Sequence, residues 1–469
     1  MERFTDLYRE NVAYMERRLR TKESFDLISR RLLVGRDELT LFYIDGFVKD
    51  VVMQKLMTYF LSLKGTGDAT HFVDAHIPYV EVDLTESPDS FALFVLSGAV
   101  GVLGSAFGGR AIIIDARTYP ARNTEEPSDD RVMQGAKDGF VETLIFNTAL
   151  IRRRLRDERL TMVYKNVGKR SKTDVVICYM EGVADKKYLK ALSRRLDEIQ
   201  VDALPLGSQS LIESLIRRRW YNPFPKVRTI ERPDAAAAEL LEGRILILCD
   251  TSPRVLVLPT AIFDFLQETD DFYFPPLTGN YLRVLRHAVF WLSLFLTPLF
   301  YLATRYRALI PPWLEFAIPA ADAAGMLPVI LQIFLVEIAV DGLQLASMNT
   351  PDMLTNSLSV IGGLILGEFA VEVGWLSPHV ILYMAFTSIA SFTQQNQELG
   401  YAFKFLRMAL LVLSALFGLW GFAVGLLLLP ILLATNRTLN GKYSYLYPLI
   451  PWNGRALARL LFRLPKSRS

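Results

Sequence analysis

The chain has 469 residues, with 52 Lys and Arg against 49 Asp and Glu and a formal net charge of +3. Such a length is enough for two or three domains, and so even a charge balance gives no global electrostatic case for a nucleic-acid partner. Two cysteines, Cys178 and Cys249, each inside an apolar run, fit buried thiols in a reducing compartment better than a disulfide framework, and four histidines leave little for metal chemistry.

Charges are dense up to about Arg307 and scarce from there to Arg437. The text therefore reads as a water-exposed half followed by a membrane half. The opening MERFTDLYRENVAYMERRLR has no uninterrupted apolar h-region, so residues 1–34 read as a helical segment on the cytosolic side with no cleavable signal.

From Asp37, DELTLFYIDGFVKDVVMQKLMTYFLSL runs as a short apolar strand, a turn with an acid and a glycine, and a helix carrying Val48, Val52, Leu56, Phe60 and Leu63. Around Lys172 the same sentence returns as KTDVVICYMEGVADKKYLKALSRRLDEI, with Tyr179 for Tyr43, Glu181 for Asp45 and Gly182 for Gly46. A second echo pairs GGRAIIIDARTYP (108–120) with EGRILILCDTSP (242–253) through Arg110 and Arg244, and two such segments argue for duplication. The expected fold class is an α/β cytosolic N-terminal region of two duplicated subdomains, followed by an α-helical polytopic membrane domain. The subdomains are placed at 35–125 and 160–275, joined by a basic connecting helix at 126–159.

Catalytic signals are weak throughout, and no enzyme, no cofactor site and no metal site are expected. GAVGVLGSAFGG (98–109) lacks the Gly-Lys-Ser/Thr ending of a phosphate loop, so tight turns explain it. Asp45 and Glu181 precede glycines at strand ends and are expected to cap the helices that follow. His71 and His76 flank Asp74 too loosely for a metal site. Arg152, Arg153, Arg154 and Arg156 form a basic run that reads as a solvated helix face, with phosphate or lipid binding as the alternative. In YNPFPKVRTIERPD (221–234), Pro223 and Pro225 hold an extended segment and Pro233 opens a helix at its first turn. Arg228, Glu231 and Arg232 look extra to the duplicated fold and are expected at an interface between modules or subunits.

The membrane domain, 280–436, contains apolar stretches at about 287–304, 327–346, 358–376, 378–393 and 405–434, read as four to six segments, some of them non-ideal or re-entrant. Arg283 and Arg286 before the first, Lys404 and Arg407 before the last, and the basic tail 437–469 all prefer the cytosol, which favours an even number of crossings. The functional mark is acid in apolar text: Glu337 with Asp341, and Glu368 with Glu372, each pair four apart and so on one helix face. No Lys or Arg lies within either segment. Such acids usually face protein, water or an ion path, which makes the four a candidate ion pathway; protonated carboxyls hydrogen-bonded between helices, or helix ends lying at the membrane interface, are the other reading. Gly362, Gly363, Gly367, Gly421 and Gly425 would allow close helix packing.

Several long motifs in order carry a resemblance. N-P-F-P, E-R-P-D and L-L-E-G-R within 222–244, EEPSDDRVMQGAKDGFVETLIFNTALIRRRL, VIGGLILGEFAVEVGWLSP and FTSIASFT resemble the A subunits of GerA-type spore germination receptors over about 124–429. VEIAVDGLQLAS, TQQNQELGYAFKFLRM and YSYLYPLIPWN look like a paralogous branch. The departures point the same way: no proline follows Ser391-Phe392, and Glu368 stands where a glutamine is typical. The resemblance implies a cytosolic two-part N-terminal region, a multi-pass domain in the inner membrane of a spore, homo-oligomers, partnership with other membrane subunits of the germination machinery, and release of monovalent cations. A cation channel subunit is the first functional reading, and a non-conducting receptor or scaffold subunit binding a ligand or partner is the second.

Overall fold

In a computed structural model, the structure describes residues 2–117, 135–216, 221–267, 273–319, 326–349, 363, 365–394, 396–436 and 445–462. The chain forms two compact units, one of residues 1–217 with 227–260 and the other of 218–226 with 261–469.

The first unit contains two five-stranded antiparallel sheets. In chain order the first is built from β1 (Leu27–Val34), β2 (Asp37–Ile44), β3 (Val82–Thr85), β4 (Val100–Gly104) and β5 (Ala111–Ile114), arranged β1-β2-β4-β5-β3. The second is built from β6 (Leu160–Val167), β7 (Thr173–Met180), β8 (Arg228–Ile230), β9 (Ile245–Cys249) and β10 (Val255–Leu258), arranged β6-β7-β9-β10-β8. The two orders are the same topology, so the duplication is a fact of the fold.

Each sheet is covered on both faces, which is why its central strands read as unbroken apolar runs rather than as alternating text. In the first, Leu39, Leu41, Ile112 and Ile114 pack with Met53, Leu56 and Phe60 of α2 (Asp50–Ser62) and Phe72 of α3 (Ala69–His76). On the other face Phe42, Leu103 and Ile113 meet Met15 and Leu19 of α1 (Tyr8–Leu19) and Phe91 and Val95 of α4 (Pro88–Leu96). The second sheet packs Met162, Cys178, Leu246 and Val257 against Leu150 and Ile151 of α5 (Leu144–Arg154) and Leu240 of α8 (Pro233–Leu241). Between these lie α6 (Lys186–Asp197) and α7 (Ser208–Leu215).

The repeat reaches beyond the motifs that reveal it in the text. Asn11 is buried and clips its own lead-in, donating to Thr5 O (2.6 Å) and accepting from Thr5 N (3.0 Å). Asn147 does the same with Val141 O (2.6 Å) and Val141 N (2.8 Å). Phe4 N donates to Glu86 O and Phe140 N to Glu231 O. Helix α1 thus belongs to the first copy, and the basic helix α5 opens the second.

Two readings of the duplication need correction. The 108–120 and 242–253 echo joins unlike strands, because Ile245–Cys249 occupies the place of Val100–Gly104, while Ala111–Ile114 corresponds to Val255–Leu258. Second, Glu231-Arg232-Pro233-Asp234 is not extra to the duplicated fold: Glu86-Ser87-Pro88-Asp89 stands at the equivalent place, each with a proline at the first turn of its helix.

Glycines 101 and 104 prove to be packing glycines rather than turn residues. A Cβ on Gly101 would lie 2.4 Å from the Phe91 ring, and one on Gly104 2.6 Å from that of Phe107. Arg152 is not on a solvated face: it is fully buried, donating to Asp26 Oδ2 (2.8 Å), Ser24 Oγ (3.2 Å) and Leu160 O (3.0 Å). Because Asp26 lies at the start of the first sheet and Leu160 at the start of the second, this one guanidinium ties the copies together.

Candidate functional site in the helical unit

The second unit is a helical bundle built on α9 (Pro276–Arg305), α10 (Val329–Asn349), α11 (Pro378–Phe392) and α12 (Gln397–Ala434). Of these, α9, α10 and α12 are long and apolar enough to cross a membrane, by length and composition. Pro298 and Pro430 sit inside their helices. The break falls instead at Gly418, whose backbone (φ 63°, ψ −138°) is non-helical.

At Gly418 the chain doubles back. Leu399, Phe403 and Leu410 share one apolar cluster with Leu433, although a straight helix would hold residues 399 and 433 roughly 50 Å apart. A Cβ on Gly425 would lie 2.4 Å from Leu410 Cδ2, and one on Gly421 1.9 Å from Leu413 O. The pair therefore lets 419–434 lie tightly against 397–417. Tyr306 closes the tip, its hydroxyl 2.1 Å from where a Gly418 Cβ would stand. The first arm runs parallel to α9, with Phe290 on Phe403 (ring centroids 4.1 Å apart) and Arg305 Nη1 donating to Ala415 O (2.5 Å). The segment Tyr221–Lys226 also packs in this unit: Phe224 is buried against Phe403, and Tyr445 Oη donates to Pro225 O (2.7 Å).

Within the bundle lies a charged layer. Glu337, on α10, is buried and accepts from Arg407 Nη2 (2.6 Å), with Lys404 Nζ 3.3 Å away. One turn further along, Asp341 is ion-paired to Lys404. Arg407, itself buried, donates through Nη1 to Ser293 O on α9 (2.8 Å), and Gln394 Nε2 reaches Ser293 Oγ (3.3 Å). Two acids four apart on one helix thus meet two cations three apart on another. The carboxylates have counter-charges from a neighbouring helix, although none lies in their own segment. Lys404 and Arg407 were read as flanking a span; they lie inside α12. The matched spacing was in the text, but the partners are separated by more than sixty residues of sequence, so no local signal joins them.

Glu368 and Glu372 are placed differently. They lie on a turn of π-helix at Ile365–Phe369 and the short helix Ala370–Glu372, and both are exposed. Among the described residues neither makes an ion pair. Gly363 and Gly367 have nothing within 4 Å of an added Cβ; Gly362 and most of the 358–364 text lie outside the described residues.

The remaining candidates resolve inside the first unit. Arg228 donates to Glu239 Oε1 (2.7 Å), Arg254 to Glu231 Oε1 (3.0 Å), and Arg232, fully buried, to Asp234 Oδ2 (2.6 Å). Asp45 and Glu181 do not cap: the N-caps are Lys49 and Asp185, and Asp185 accepts from Lys187 N (2.8 Å). At their equivalent positions the two acids titrate in opposite senses. Burial pushes the Asp45 carboxyl above its usual range. Lys186, helped by Arg20, holds Glu181 below its own. His71 and His76 stack edge to face on α3, and no cluster suited to a metal occurs among the described residues.

The family model for the Bacillus/Clostridium GerA spore germination protein matches residues 13–469. The chain belongs to the GerA spore germination protein family. It is 36% identical over 461 residues to stage V sporulation protein AF of Bacillus subtilis, covering 97% of this chain and 92% of that one. It is 28% identical over 451 residues to spore germination protein KA of the same organism, covering 94% and 82%. Among solved structures, the N-terminal domain of the A subunit of the Bacillus megaterium spore germinant receptor GerK3 is similar at 22% identity and a TM-score of 0.40, over 55% of this chain and 97% of that one.

Proposed function

We propose that this germination-family protein is a multi-pass subunit of an oligomeric complex in the spore inner membrane, with its two-sheet unit cytosolic, that passes monovalent cations during germination, either directly or by amplifying the response of nutrient receptors. The observation that supports it is the state of Glu368 and Glu372: carboxylates in an apolar stretch, exposed, with no ion pair among the described residues. A bare charge at mid-bilayer is disfavoured by about 2.5–3.5 kcal/mol, so such a surface calls for water or a neighbouring copy. Rings of these acids would attract cations and repel anions. In spores carrying Glu368→Gln and Glu372→Gln at normal protein level, potassium release should slow severalfold; unchanged release would remove both residues from the pathway.

A second reading is a non-conducting receptor or scaffold subunit. Its support is the charged layer, where Glu337 and Asp341 are matched by Lys404 and Arg407 and are poorly placed to coordinate a passing ion. Purified protein in planar bilayers that assembles with other germination subunits yet never carries current would favour it. Arg232 is fully buried and Glu231 nearly so, which leaves Arg228 as the one of the three with an edge to offer in assembly; normal assembly of Arg228→Glu would end that role.

A further inference from the structure

After the helical bundle the chain carries a second kind of membrane feature. Residues 445–462 return as a turn-rich segment followed by α13 (Gly454–Leu461). This segment is pinned at both ends. Tyr445 is buried, donating to Pro225 O (2.7 Å) and accepting from Ile262 N (2.9 Å). At the far end Arg283, buried near the start of α9, donates to Leu460 O (3.1 Å). Asn453 starts the helix by accepting from Ala456 N (3.1 Å).

What the anchors leave uncovered is apolar and aromatic: Leu449, Ile450, Trp452 and Phe462 are all exposed. Helical spacing puts positions 457, 460 and 461, all leucine, on one side of α13 and the arginine positions 455 and 459 on the other. Leu460 is buried and Arg455 exposed, as that division requires. The charge is one-sided as well. From Arg437 to Ser469 there are seven Lys and Arg and no Asp or Glu. Nearby on α9, Leu277 and Tyr281 are exposed at the end of the bundle where the span begins. Trp420 and Trp313, also exposed, lie toward the opposite end, near the Gly418 tip and after α9. Exposed aromatics toward both ends of an apolar bundle fit two headgroup layers.

We propose that residues 449–462, the end of the turn-rich segment together with α13, form an interfacial element lying in the headgroup layer at the end of the bundle where α9 begins, binding anionic lipid. Trp452 and Ile450 dip toward the acyl boundary, and Arg455 meets the anionic headgroups, with position 459 on the same face of the helix. With the leucine side of α13 turned to the bundle, as the buried Leu460 shows, the segment gains from burying the exposed Ile450, Trp452 and Phe462 and from the negative surface together, and each cation near such a surface strengthens binding severalfold.

The test uses the full chain in nanodiscs, with Trp452→Cys labelled by an environment-sensitive fluorophore. The native cysteines are both buried, and burial pushes the Cys249 thiol up to about 12, so they react poorly. The probe's emission should shift to the blue as phosphatidylglycerol replaces phosphatidylcholine. The apparent partition constant read from that lipid titration should fall roughly fivefold for each of Arg455→Gln and Arg459→Gln. A probe at Val80→Cys, an exposed site in the other unit, should not respond. Emission at 452 that matches this control in every lipid, or shifts equally in both arginine variants and the parent, would overturn the proposal; so would a shift produced only by an added acidic protein partner.

Discussion

Two pairs of acids, each four residues apart on apolar text, end in opposite conditions. Glu337, buried, and Asp341, partly exposed, are matched by Arg407 and Lys404, whereas Glu368 and Glu372 are exposed and carry no ion pair among the described residues. The two copies of the first unit repeat the contrast at one equivalent position, with Glu181 held by Lys186 and Arg20 and Asp45 half-buried without an ion pair among the described residues. An acid's sequence neighbourhood therefore says little about its electrostatic role. What decides it is whether the fold brings a cation from elsewhere.

The contrast breaks most visibly at Arg407. Arg407→Ala leaves Glu337 buried with its nearest counter-charge removed, and should cost about 3–5 kcal/mol, read as a lower melting temperature in detergent. The double variant Arg407→Met with Glu337→Met should recover most of the loss, because removing both charges also removes their desolvation cost. Were the double variant no better than the single, the layer would matter through shape rather than charge. Next comes Asp341→Asn, which should cost about 1 kcal/mol or less, since the Asp341 side chain is 40% exposed. Smaller still is the effect of Glu368→Gln with Glu372→Gln on stability: within about 0.5 kcal/mol, even if ion release falls. A large stability loss there would show that the pair is structural.

The smallest and most discriminating effect is the pH dependence of Asp45 and Glu181 in the two-sheet unit. The Glu181 carboxyl is lowered in the fold, so its contribution is present above the unfolded pKa of about 4.3 and is lost as pH falls through the folded value. Glu181→Gln should thus destabilise by about 0.2–1 kcal/mol at neutral pH and lose its effect toward pH 3. The Asp45 carboxyl is raised, so the folded chain takes up its proton before the unfolded one does, and the charged form weakens the fold at neutral pH. Asp45→Asn should stabilise slightly at pH 7, with the gain vanishing below about pH 4. Melting curves of both variants against pH should diverge in opposite directions; parallel curves would refute the inverted environments.

How much of this was legible follows the same line. The strand, turn and helix around Asp45-Gly46 and Glu181-Gly182 were readable because the pattern is local, and both glycines adopt φ +82°. The second echo failed because β4, β5, β9 and β10 are all short, fully buried apolar strands, and a Gly-Arg before one of them does not say which. The true equivalence, Ser87-Pro88-Asp89 with Arg232-Pro233-Asp234, was in plain view but hidden by extra residues accumulated in the second copy. The acid pairs could be found by spacing, yet their partners could not, since Lys404 and Arg407 lie on a helix distant in sequence. Even the Gly418 reversal left a trace: an apolar run too long for one crossing, with a glycine near the middle.

That reversal bears on how the protein could be probed and shortened. A hairpin that enters and leaves by one face adds nothing to sidedness, so the start of α9 and the residues following α12 emerge at the same end of the bundle. A reporter fused beyond residue 462 should light up in the same compartment as one placed just before Pro276. Because the hairpin contributes no net passage, excising it whole should leave the insertion direction of α9, α10 and α11 unchanged, while the counter-charges of Glu337 and Asp341 and the apolar packing on Phe224 and Phe290 would go with it.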